Sequence, residues 1–115
     1  MISESEFERI VEEALDSLPK RFADLVANVA IVIEDEPSDE DREDLGDEEE
    51  LLGIYRGVPL TERSRYDPVL PDEIAIFRGP LGRVSHSREE AIAEVRDTVI
   101  HELGHYFGLE DDELP

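Results

Sequence analysis

His101 and His105 stand four residues apart in the stretch TVIHELGHYFGLED, with Glu102 directly after the first histidine. Two neutral imidazoles one helical turn apart can reach a single divalent cation, tetrahedral Zn²⁺ above all, and leave room for a third ligand and a water. Such a metal lowers the pKa of its water to around 7 and polarises a carbonyl. A glutamate beside the first histidine can then take the water's proton and pass it to a leaving amine. The chemistry that these types and this spacing allow is metal-assisted hydrolysis. A third ligand must come from beyond the helix. Gly108 can turn the chain, and Asp111 follows three residues later, completing His101-Glu102-x-x-His105-x-x-Gly108-x-x-Asp111. Glu110, Asp112 and Glu113 are neighbours that could substitute for Asp111. His86 is another candidate, although its plainer reading is a surface or capping residue. Shuffling would produce the five-residue core roughly once in a hundred sequences, and the core with its glycine about once in two thousand, so coincidence explains it poorly.

The element that must position these residues is a helix. Starting from His101 and advancing about 100° per residue, His105 falls near 40°, on the same face. Ile92, Val95, Val99, Leu103, Tyr106 and Phe107 gather on the opposite side and form the expected core stripe. The histidines share their face with Glu90, Glu94, Asp97 and Thr98, which predicts that they look onto a cleft or water. Glu102 lies at the border of the buried side. Ser87 with Glu90 can cap the helix start, and Gly108 suits its end.

Upstream, residues 4–18 read as an amphipathic helix with Phe7, Ile10, Val11, Ala14, Leu15 and Leu18 in one stripe, capped by Ser3 with Glu6 and stopped by Pro19. Residues 26–34, 51–57 and 73–79 read as three short strands. The segment VPLTERSRYDPVLPD carries three prolines and reads as a loop, and GPLGRVSHS as a turn. The order α, β, β, β, α predicts an α+β fold in one domain spanning residues 1–115.

Net charge is −21 over 115 residues, and the run from 34 to 50 holds twelve acids against one arginine. Charge of this density predicts a solvated, mobile loop over 34–50. The field repels phosphate backbones and anionic membrane surfaces, so neither nucleic acid nor membrane is an expected partner. A basic peptide or protein would be drawn in instead. There is no cysteine, so any metal must be held by His, Asp, Glu or backbone oxygen. The polar, acidic start MISESEFERI is no secretory or transit signal, and a cytoplasmic monomer is expected.

The segments VAIVIEDEP, LLGIYRGVPLTER, LPDEIAIFRGPL and VRDTVIHELGHYFGLEDDEL, taken in that order, resemble the small bacterial zincin-like metallopeptidase-domain proteins over residues 26–114. The resemblance implies a minimal zincin fold: a small mixed sheet packed against an N-terminal helix and the active-site helix, with an edge strand flanking the cleft. It implies His101, His105 and Asp111 as zinc ligands and Glu102 as the general base. The sequence departs from larger, metzincin-type relatives in placing no methionine after the third ligand, since Met1 is its only one. A hydrolase also needs an oxyanion donor besides the metal, and Tyr55, Tyr66, Arg63 and Arg78 could each approach; Tyr106 is expected in the core. Carboxylates near the metal predict activity rising toward mildly alkaline pH and a preference for cationic peptides. Two other roles fit the same residues: a zinc-binding protein without turnover, and an acidic interaction module.

Overall fold

The computed structural model describes residues 2–43, 50–57 and 72–107. Seven elements follow one another: α1 (Glu4–Asp16), α2 (Lys20–Val26), β1 (Val29–Glu34), β2 (Gly53–Arg56), β3 (Asp72–Phe77), α3 (Arg78–Val84) and α4 (Arg88–Tyr106). The architecture is α+β, with a three-stranded mixed sheet in the order β1-β3-β2. β1 runs parallel to β3, pairing Val29 with Asp72 through Glu34 with Phe77. β2 runs antiparallel to β3, pairing Gly53 with Ile76 and Tyr55 with Ile74. Among the described residues, β2 is therefore an edge strand.

The apolar stripe of α1 buries Phe7, Ile10, Val11 and Ala14 against α4, whose Ala91, Val95, Val99, Ile100 and Leu103 are buried in turn. Ile74 and Ile76 join this core from the sheet. Ala75 and Phe77 are also fully buried and, by strand alternation, point to the other face. Each large side chain so buried contributes about 1.5–3 kcal/mol of transfer free energy.

Two helices are additional to the sequence expectation. The first helix ends at Asp16, not at residue 18, with the Ser17 hydroxyl donating to the Ala14 carbonyl at 2.8 Å. Pro19 then caps a new helix, α2, instead of merely stopping the old one, because proline is compatible with a helix's first turn. The buried Phe22 anchors that helix, and β1 starts at Val29, three residues later than expected. The expected turn after β3 is largely α3, whose first helical turn contains Pro80; Pro80 and Leu81 are buried.

The sequence predicted a solvated, mobile loop over 34–50, and several acids in the described part of that run are paired with arginines. Arg56 on β2 grips Glu34 through both guanidinium nitrogens (2.8 and 3.0 Å), Asp41 at 2.9 Å and Glu73 at 3.2 Å. Asp41 is set by a reciprocal turn: Ser38 N–H donates to its carboxylate and its own N–H donates to the Ser38 hydroxyl. Arg83 on α3 holds both Glu36 and Glu50, and Arg78 holds Asp35 at 2.7 Å. Residues 44–49 lie outside the described residues.

Candidate metal centre

α4 starts where the sequence predicted, with the Ser87 hydroxyl accepting from Glu90 N–H at 3.0 Å. Glu89 and Glu90 in its first turn complement the helix dipole. Its buried face rests on α1, and His101 and His105 stand exposed on the opposite face. Their ring centroids are 4.1 Å apart. Among the described residues, His101, Glu102 and His105 are the group suited to a metal, their donor atoms all lying within 4.8 Å of one another. Bonds of about 2.1 Å to one cation bring its ligand atoms within roughly 4 Å, a distance small side-chain rotations supply. Nitrogen and carboxylate donors without thiolate suit zinc chemically, so the residues present fit the ion that the sequence motif suggests.

The centre opens onto a cleft of about 300 Å³ lined by Leu51, Leu52, Gly53, Asp97, Thr98, His101 and Glu102. A larger recess of about 420 Å³ lies against Arg78 and Arg83, whose guanidinium groups are paired with acids. Its carboxylates, Asp35 and Glu36, are the acids those arginines hold, so size alone does not locate the chemistry.

α4 crosses the outer side of β2 very closely. A Cβ on Gly53 would sit 2.7 Å from Thr98 Cγ2, and one on Gly57 would sit 2.7 Å from the Tyr106 ring. Between these two contacts, Tyr55 N–H donates to Glu102 Oε1 at 2.9 Å. Tyr55 stacks on Tyr106 with centroids 3.9 Å apart, and its hydroxyl donates to Asp72 at 2.9 Å.

The structure sorts the remaining candidates. His86 precedes α4, and the helix rise separates it from His101 by roughly 20 Å, so it joins no common site with the other two histidines. Arg78 is committed to Asp35 and Glu4, away from the cleft. Tyr106 and Phe107 are not core residues as expected: each is 45% exposed, because the last turn of α4 runs past the core and lies over the end of β2. Tyr55 is beside Glu102, although the group that touches it is the main-chain amide rather than the phenol. Arg63, Tyr66, Gly108, Glu110, Asp111, Asp112 and Glu113 lie outside the described residues. No helix among the described residues is long and apolar enough to cross a membrane.

A family model described as zincin-like metallopeptidase matches residues 26–115. No curated protein matches the chain in sequence. Among solved structures, a conserved hypothetical protein from Thermo thermophilus is 23% identical, with a TM-score of 0.61, and the match covers 92% of this chain and 94% of that one. That likeness concerns the fold.

Proposed function

The chain belongs to the zincin-like metallopeptidase family, and on that premise we propose that it is a zinc-dependent peptidase. The observation that carries the reading is the juxtaposition of exposed His101 and His105 with half-buried Glu102 on a helix whose other face is core, His101 and Glu102 lining a cleft. His101 and His105 would hold the metal through their imidazole nitrogens, with Asp111 as the third ligand. Zinc, when bound, supplies Lewis-acid polarisation of a carbonyl and makes water acidic enough to react near neutral pH. Glu102 takes a proton from the attacking water and delivers it to the amine as the peptide C–N bond breaks. Its Oε1 is occupied by Tyr55 N–H, which favours this role over metal ligation and leaves the second oxygen to carry the proton. With a net charge of −21, the protein attracts basic peptides more readily than acidic ones.

The same Tyr55–Glu102 bond also suits a second reading, in which the site is a structural zinc centre without turnover and Glu102 merely ties helix to strand. Glu102→Gln separates the two. On a panel of basic and acidic peptides, the variant should retain zinc by elemental analysis and lose hydrolysis of the basic ones. Undiminished hydrolysis would exclude Glu102 as base, and wild-type protein that binds zinc but cleaves no peptide would favour the structural reading.

A further inference from the structure

β2 turns its outer edge toward α4 in a regular way. Phe77 N–H donates to the Leu52 carbonyl at 3.0 Å, and the pairs continue as Ile54 with Ala75 and Arg56 with Glu73. In an antiparallel ladder the alternate residues, Gly53 and Tyr55, then turn their main-chain groups away from β3. An outward amide on an edge strand ordinarily donates to water or to an added strand. The Tyr55 amide instead donates to Glu102, 47 residues distant in sequence.

The match between helix and strand is periodic. Gly53, Tyr55 and Gly57 meet Thr98, Glu102 and Tyr106 respectively. Two strand residues advance about 6.7 Å and four helical residues about 6 Å, so the two series stay in step over three contacts. The glycines on either side let the helix approach closely enough for a glutamate to reach the main chain between them. A glutamate on an exposed helix face samples several rotamers, and one strong hydrogen bond to a carboxylate oxygen removes most of that freedom.

We infer that the main-chain amide of Tyr55 is a positioning group for Glu102, holding the carboxylate in the one rotamer from which its second oxygen serves the cleft. The inference rests on the peptidase reading for its kinetic consequence, whereas the contact itself can be measured in protein that cleaves nothing. A base already held in place loses no rotamer freedom at the moment of proton transfer, so the effect belongs in kcat rather than KM.

Amide hydrogen exchange of the full chain, read by NMR, tests the contact. Tyr55 N–H should be protected in the wild type and in Glu102→Gln, whose side-chain carbonyl still accepts. It should exchange at least about 10-fold faster in Glu102→Ala and in Glu102→Asp, which falls one methylene short. Kinetics of the zinc-loaded protein on basic peptides test the role. Tyr55→Pro deletes the amide at an outward edge position that tolerates proline, and Tyr55→Ala deletes the ring while keeping the amide. The proline variant should lose about 10- to 100-fold more kcat than the alanine variant, with KM within about twofold and zinc content unchanged. If Tyr55→Pro fails to fold, an amide-to-ester replacement at the same residue is compared in its place. Equal kcat in the two Tyr55 variants, or Tyr55 protection that survives Glu102→Ala, overturns the inference. A wild type that hydrolyses none of the peptides overturns the peptidase reading instead, and with it the kinetic role, while the exchange comparison still reports whether the amide holds Glu102.

Discussion

Replacing Gly53 by alanine should loosen α4 from the sheet. The added methyl would lie 2.7 Å from Thr98 Cγ2, 2.9 Å from the Ala75 carbonyl oxygen and 3.3 Å from Ile76 Cδ1, against the 3.4–4 Å of ordinary contact. Neither of the two closest atoms can give way cheaply. Thr98 Oγ1 donates to the Glu94 carbonyl at 2.7 Å, so swinging its methyl aside breaks that bond. The Ala75 carbonyl faces Ile54 in the β2–β3 ladder, so displacing it disturbs the sheet. The helix must therefore retreat by a few tenths of an ångström. Overpacking of this kind costs about 1–3 kcal/mol, which for a chain of 115 residues lowers Tm by roughly 4–12 °C. Thermal melting followed by circular dichroism measures it, with Thr98→Ser and the double variant completing a cycle. Because serine lacks Cγ2, the double variant should recover part, though not all, of the loss, since the Ala75 oxygen stays in place. A Tm for Gly53→Ala within about 1 °C of wild type refutes the close approach. A double variant whose losses simply add refutes Thr98 as the obstruction.

Zinc at a hundredfold excess over its Kd stabilises the folded state by about 2.7 kcal/mol, a rise in Tm on the order of 10 °C. A chelator should reverse that rise, and His101→Ala and His105→Ala should each abolish it; melting indifferent to zinc in the wild type contradicts the site. The Arg56 cluster makes a pH prediction. The Arg56 hydrogen bond holds Glu34 below its usual carboxylate range against a desolvation that pushes it up. Burial pushes Asp41 up as well, but Ser38 and Arg56 together outweigh it and hold it low. Carboxyls depressed in the folded state stabilise it fully above the ordinary range near 4, and that contribution fades as pH falls through the lowered values. The stability gap between wild type and Arg56→Gln should therefore be widest at pH 6–7 and shrink between about pH 5 and pH 2, measured as urea midpoints at each pH; a gap constant with pH refutes the assignment.

The legible parts of this molecule were those written in side chains at a fixed period. Phe7, Ile10, Val11 and Ala14 at helical spacing gave α1, and the polar run of Ser87 to Glu90 gave the start of α4. The opposition of His101 and His105 to Val95, Val99 and Leu103 follows from a 3.6-residue repeat, and it is how the histidines come to face outward. The same wheel misplaced Tyr106 and Phe107, because it knows the angle of a residue but not where along the helix the core stops. α2 and α3 were missed for a related reason: Pro19 reads as a stop and GPLGRVSHS as a turn, although Pro19 and Pro80 both stand where a helix can begin.

Harder still was the Tyr55 amide. Every residue but proline carries one, and only the β2–β3 register decides that this one turns outward to meet Glu102. Yet a trace of it is present in LLGIYRG, where two glycines flank the tyrosine at a spacing of four. Glycines two strand residues either side of one position leave a groove on one face of the strand, and a groove on an edge strand needs a helix to fill it. The Thr98, Glu102 and Tyr106 series is the complementary ridge, at a helical spacing of four. Groove and ridge together predict which strand the motif helix lies against, and hence which main-chain group its glutamate can reach.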